Sequence, residues 1–306
     1  MKNFYNLRNI NLSDSLKVSP IIHGYWRLKD WGLTNQELLK LMNESIDLGV
    51  TTFDHADIYG DYSCESLFGE ALKLQPEIRD SIQLISKCGI KLLSDKFPDR
   101  KVKHYDYSYN HIISSAENSL KNLHTDHLDL LLLHRPAPFF DPDEVAKAFS
   151  DLKKSGKVQN FGVSNFTPQQ FRMLNSSLDE KLVTNQIEIS PFCLEHFENE
   201  NIDFLIEHKI KPMAWSPLAG GEIMDPTTAR GKRIYKTLKE VAQELNEDKI
   251  DKVIYSWLLM HPSGIIPIVG TGKINRLKTA VAALDLKMNL EQWYKIYTAS
   301  TGDEVP

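Results

Sequence analysis

The chain has 306 residues, 42% hydrophobic and 25% charged, enough to bury a full core and of a length that suits two ordinary domains or one α/β barrel. A net charge of −5 and a pI near 6.1 provide no basic surface to draw phosphate backbone, so nucleic acid is not an expected partner. Three cysteines, Cys64, Cys88 and Cys193, without a Cys-x-x-Cys pair, argue against a disulfide framework or a cysteine-rich zinc site. The start, Met1-Lys2-Asn3-Phe4-Tyr5-Asn6-Leu7-Arg8, has no apolar signal core, and the Leu/Ile runs are too short to span a bilayer. The expectation is a cytoplasmic protein with no membrane partner.

Along the chain, short runs rich in Val, Ile and Leu alternate with longer amphipathic segments, the pattern of repeated βα units around a parallel sheet. Strands are predicted over residues 18–24, 51–54, 82–87, 128–134, 158–164, 183–187, 210–215 and 264–268. That makes eight, the number that closes a (β/α)8 TIM barrel. Helices are predicted over 35–48, 64–74, 108–123, 142–155, 168–176 and 199–208. Their ends are readable: Thr34 with Glu37 forms a capping box, Gly49 and Gly156 sit as C-terminal stops, and Thr167-Pro168 supplies an N-cap and first helical residue. Two further helical segments, 232–245 and 248–261, precede the last strand, so the barrel carries extra helices. No Pro-, Gly- or Ser-rich linker divides the chain, and residues 1–306 read as a single domain.

Four polar residues fall at the ends of strand-like runs or in the loop beyond: Asp54 and Tyr59 in Phe53-Asp54-His55-Ala56-Asp57-Ile58-Tyr59-Gly60, Lys87 after Leu84-Ile85-Ser86, and His134 after four leucines. A parallel barrel builds its active site from strand ends, and an acid, a phenol, an amine and an imidazole together can polarise and protonate a carbonyl. A tyrosine of reference pKa about 10 holds its proton firmly. At an effective dielectric near 20, a cation about 4 Å away is worth roughly 4 kcal/mol, or about three pKa units at most. Lys87 is the candidate cation. Asp54 would fix it while cancelling part of its field, so a smaller net depression of Tyr59 is expected. A neutral His134 would orient the substrate oxygen.

In order and setting these residues resemble the Asp-Tyr-Lys-His tetrad of the aldo-keto reductase superfamily, and the resemblance covers nearly the whole chain from Gly24-Tyr25-Trp26 onward. It implies Tyr59 as general acid/base, Lys87 and Asp54 as its modulators and His134 as the orienting group. Some relatives that reduce steroid carbon-carbon double bonds carry Glu at the histidine position, so His134 favours carbonyl chemistry. The resemblance also implies a floor-closing hairpin within residues 1–17.

Gly162-Val163-Ser164-Asn165-Phe166 and Asn185-Gln186 resemble the fifth- and sixth-strand motifs in which Ser164, Asn165 and Gln186 would hold a nicotinamide carboxamide. Within Ala214-Trp215-Ser216-Pro217-Leu218-Ala219-Gly220-Gly221, Trp215 would stack on the nicotinamide, and the loop from Ser216, Pro217 and Leu218 would fold over the pyrophosphate. Pro267 to Arg276 resembles the adenosine-phosphate site. There Gly270 and Gly272 would let the backbone approach phosphate, Thr271 offers a hydroxyl, and Lys273 or Arg276 would take a 2′-phosphate, so NADPH/NADP+ is preferred over NADH. Gly270-Thr271 stands where many members place Lys-Ser. The glycines lack the third member of a dinucleotide fingerprint, and Gly272-Lys273-Ile274 is no P-loop.

The resemblance implies a small-molecule carbonyl substrate, with Trp26, Phe139, Phe140 and Phe192 as candidate apolar walls. A metal-dependent hydrolase would need ligands among His23, His55, Asp57 and His134, but the first strand ends His23-Gly24-Tyr25 and not in a His-x-His pair; no metal is expected. A cofactor-bearing regulatory subunit of the same fold is the alternative function, against which the intact tetrad stands.

Overall fold

A computed structural model describes residue 7 and residues 9–306. Eight parallel strands close into a barrel in chain order: Ile22–Gly24, Thr52–Asp54, Gln83–Cys88, Leu130–Leu133, Phe161–Ser164, Asn185–Glu188, Met213–Trp215 and Ile266–Val269. Each matches a predicted strand within a few residues except at the start. The run over 18–24 is two pieces: Val18 pairs antiparallel with Ile10 in a short hairpin, and only Ile22–Gly24 enters the barrel. Pro20 between them lacks the N–H that an unbroken strand would use. Ser13 and Ser15 of this hairpin donate to Asn160 Oδ1, just ahead of the fifth strand. The rest of the expected hairpin, on residues 1–6 and 8, lies outside the described residues.

Contacts divide the chain into two compact units, residues up to Gln186 with Gly270–Ile274, and Ile187–Val269 with Asn275–Pro306. In the first unit the strands are buried almost throughout, so their sequences are continuous apolar runs. Strand alternation sorts Ser86 and Lys87 of the third strand to opposite faces. Ser86 donates to Glu65 Oε1 on the helix Cys64–Leu72, while Lys87 turns to the carboxylate of Asp54. The predicted caps are present: Thr34 and Glu37 form a reciprocal capping box, Thr167 does the same with Gln170, and Gly49 and Gly156 take left-handed φ values of 79° and 74°.

In the second unit, helices Ala229–Glu244 and Ile250–Leu259 precede the last strand, as expected. The final helix, Leu290–Thr301, packs against Ala229–Glu244 and is not among the helices expected from the sequence. Trp257 and Trp293 stack at 5.1 Å, and each indole N–H donates to the other's carbonyl. Among the described residues no helix is long and apolar enough to cross a membrane.

Helix Cys64–Leu72 approaches helix Tyr109–Leu123 closely at Gly69, where an added Cβ would lie 2.0 Å from the Asn122 carbonyl oxygen. Backbone cannot yield as a side chain can, so Gly69→Ala should cost about 1–3 kcal/mol, the range of overpacking. Urea unfolding measures it, and an unchanged midpoint would contradict the close approach.

Candidate active site

The second strand ends at Asp54, and the loop beyond it is tied to the third strand. His55 N–H donates to Ile85 O and Asp57 N–H to Lys87 O. Tyr59 then begins a tight turn in which Gly60 has φ +59°, and a Cβ there would meet Cys64 Sγ at 2.5 Å. The Tyr-Gly pair is therefore a backbone requirement of the turn that sets the phenol.

Lys87 is 1% exposed and its ammonium is fully engaged. Nζ donates to both Asp54 oxygens at 2.8 Å, to His55 O at 2.7 Å and to Tyr59 Oη at 3.1 Å. Burial alone would lower its pKa, but the charges and hydrogen bonds of Asp54 and Tyr59 carry it above the usual lysine value. Among the described residues, Tyr59 Oη accepts from Lys87 and donates to no protein group, leaving its hydrogen for a ligand.

The expected net depression of Tyr59 is not what the environment gives. Burial raises its pKa, and the opposing charge of Lys87, itself partly offset by Asp54, does not overcome it. The phenol is thus protonated at neutral pH, with a cation placed to stabilise the phenolate once the proton leaves.

His134 follows Leu130–Leu133, with its ring centroid 5.8 Å from that of Tyr59 at 75°. Burial first, then the charges of Lys87, Arg135 and Lys103, hold its pKa well below the usual imidazole range. Nδ1 is buried without a partner. An orphaned N–H is less tolerable than an orphaned lone pair, so the neutral ring carries its hydrogen on Nε2.

The fifth and sixth strands bring Ser164 opposite Gln186. Asn165, at φ 62°, donates from Nδ2 to Ser164 Oγ at 2.7 Å, and Ser164 Oγ donates to Gln186 O at 2.8 Å. Gln186 Nε2 in turn donates to Asp54 Oδ1 at 2.9 Å. The three residues expected to hold a carboxamide form one hydrogen-bonded set that reaches the tetrad. Nothing in the sequence signals that last bond, which joins residues 132 positions apart.

After the eighth strand, Gly270 has only Gly24 O near an added Cβ, at 3.8 Å. Gly272 differs: its Cβ would strike the Trp31 ring at 2.8 Å, so this glycine makes room for Trp31. Thr271 Oγ1 accepts from Lys273 N–H at 3.1 Å, and Thr271 O contacts buried His23 Nε2 at 2.8 Å. Lys273 is exposed. These residues share the first unit with the tetrad.

Trp215, Ser216, Pro217, Leu218, Phe192 and Arg276 belong to the second unit. Trp215 is half-buried at the end of its strand, and Gly220 and Gly221 both take positive φ beyond it. Phe192 lies 5.8 Å from the Arg230 guanidinium. Of the other candidate walls, Trp26 and Phe139 are exposed, whereas Phe140 packs edge-on between Tyr107 and Phe166. Among the described residues, no group of three His, Cys, Asp or Glu side chains is arranged to hold a metal.

Comparison with known proteins agrees with this geometry. Residues 20–300 match the model of the aldo/keto reductase family. The chain is 49% identical to the oxidoreductase YcsN of Bacillus subtilis, over 98% of this chain and all of that one. It is 41% identical to a 6-dehydroglucose reductase of Agrobacterium fabrum, again over 98% and 100%. A thermostable aldo-keto reductase, Tm1743, shares the fold at a TM-score of 0.80 and 23% identity, covering 96% of this chain and 100% of that one.

Removing Lys87 would strand Asp54 in the interior. Lys87→Met should cost about 3–5 kcal/mol, as breaking a buried pair does, and Asp54→Leu in the same chain should recover most of it. Chemical denaturation of the single and double variants measures both; additive losses would contradict the pairing.

Proposed function

The chain belongs to the aldo/keto reductase family, and from that premise we propose that it reduces aldehyde or ketone carbonyls to alcohols with NADPH, using Tyr59 as general acid, residues 1–306 acting as one catalytic domain. The observation that carries this reading is the state of the phenol. It is half-buried and protonated, accepts from Lys87 and has no protein acceptor for its own hydrogen among the described residues.

The cofactor fits the donor set: Ser164, Asn165 and Gln186 are the hydroxyl and amides a carboxamide requires, and the position above Gly270 is open. By family resemblance Trp215 would meet the nicotinamide ring, and Lys273 or Arg276 the 2′-phosphate. When bound, the reduced nicotinamide supplies hydride. The chain's own residues manage the oxygen. His134 Nε2–H holds and polarises it, and Tyr59 gives it a proton. Lys87 stabilises the resulting phenolate, while Asp54 keeps Lys87 charged and in place.

The substrate we propose is a polar aldehyde of the sugar series, and two observations support it. The Agrobacterium relative is named as a 6-dehydroglucose reductase, and Trp26 and Phe139 offer exposed aromatic faces of the kind that packs against sugar C–H groups.

Tyr59→Phe should bind NADPH nearly as tightly as the parent in fluorescence titration, yet lose turnover by a factor of at least about 100, the lower scale of general acid catalysis. Near-normal rates at saturating cofactor would remove Tyr59 from the acid role. For the phosphate, Arg276→Ala should weaken NADPH about tenfold, a lost charged hydrogen bond, and leave NADH almost unchanged. Equal loss of both would exclude this residue from the 2′-phosphate.

A further inference from the structure

Gln186 is 2% exposed and Asp54 3%, and the 2.9 Å bond between them fixes which way the amide faces. A carboxylate accepts only, so the atom against Oδ1 must be the nitrogen. Lys87 Nζ sits 2.8 Å from each Asp54 oxygen. One donor shared by two oxygens does not by itself set the twist of the carboxylate, since that torsion is broad. A second donor on Oδ1, from another strand, does.

The glutamine backbone is held in turn. Its carbonyl accepts from Ser164 Oγ at 2.8 Å and from Asn165 N–H at 3.0 Å, the pair that the proposed reading gives to the carboxamide.

We infer that Gln186 is a positioning residue for proton delivery: through its amide N–H it locks the Asp54 carboxylate onto Lys87, and it thereby links the Ser164–Asn165 cofactor site to the acid Tyr59. This rests on the carbonyl-reductase reading for its kinetic consequence, but not for the bond itself. A glutamine that served only the carboxamide would affect cofactor affinity. One that also sets Asp54 affects the chemical step with cofactor saturated.

Two variants separate these roles. Gln186→Leu keeps the bulk and removes the donor. Its kcat at saturating NADPH should fall about tenfold to a hundredfold, the range spanned by a lost charged hydrogen bond, whatever happens to NADPH affinity in fluorescence titration. Gln186→Glu places a second carboxyl against Asp54, and two such groups share one proton, which raises one pKa of the pair. While protonated, the introduced carboxyl donates to Asp54 as the amide did, so at acid pH this variant should regain kcat relative to Gln186→Leu. As pH rises through the raised pKa the donor becomes a second anion and the gain disappears.

Lys87 and Tyr59 beside Asp54, and His55, His134 and Asp57 within the field of Lys87, are the same in both proteins. Burial holds both histidines neutral, and Asp57, pushed up to about 8, titrates in both, so a pH dependence present only in Gln186→Glu belongs to the new pair. The same shared proton gives a readout free of turnover. A carboxyl with raised folded pKa binds more protons folded than unfolded, so stability falls as pH rises. The melting temperature of Gln186→Glu should therefore drop away from that of the parent with increasing pH.

A Gln186→Leu protein with raised Kd for NADPH but unchanged kcat would overturn the inference. So would a Gln186→Glu protein whose melting temperature tracks the parent at every pH. If no carbonyl compound is turned over by the parent while the Gln186→Glu melting temperature still falls with pH, the positioning bond stands and the carbonyl-reductase reading fails.

Discussion

The fold depends at its catalytic end on one charge that has no access to water. Lys87 is buried to 1% exposure, and an ammonium in that setting persists only if it is paired and all its hydrogens are placed. The acceptors come from the second strand and its loop: Asp54, His55 O and Tyr59 Oη. Satisfying the cation thus fixes the loop that carries the acid. The lysine is at once the reason the site is rigid and the source of the field that acts on the proton. The same field adds to burial in keeping His55 and His134 neutral.

Asp54 offsets part of that field, but the other nearby acids add little to the offset. Asp57 Oδ1 is buried without a partner and Ser115 donates to Oδ2; burial above all pushes this carboxyl up to about 8. Glu65, also buried, is raised by the same cause against the hydrogen bonds of Ser86, Ser119 and Asn122. At neutral pH Asp57 is mainly uncharged, so Asp54 is the anion in direct contact with Lys87. A raised carboxyl stabilises the fold at low pH, and the contribution is lost as pH climbs through about 8. Two ionised acids beside the one ammonium would leave a net negative charge, which holds the phenol's proton more firmly.

How much of this was legible depended on whether the information is local. Strands, caps and the tetrad are local: Phe53 to Gly60 sets Asp54 and Tyr59 on one loop, and a run of leucines delivers His134 to a strand end. Pairings across the barrel are not. The Gln186–Asp54 bond is invisible in sequence, and so is the clash that makes Gly272 a glycine for the sake of Trp31. The first strand failed for a related reason. Val18 and Ile22 are equally apolar; Pro20 breaks the run between them, and the hairpin partner Ile10 takes the first piece outside the barrel. The direction of the Tyr59 shift needed burial, which no count of neighbouring charges in the sequence supplies.

The raised phenol bears on which form of Tyr59 would meet a substrate in the proposed reaction. Reduction as proposed would require a proton donor at the start of the cycle, and the raised Tyr59 phenol is protonated across the neutral range. Oxidation of an alcohol requires the phenolate instead, which must form against the same desolvation before any chemistry begins. A site with the cation nearer or the acid more exposed would balance the two directions. Here Lys87 is shared among four acceptors, so its help to the phenolate is diluted while burial is not. In the proposed acid role Tyr59 is therefore ready to donate at neutral pH, whereas its phenolate forms only under alkaline conditions.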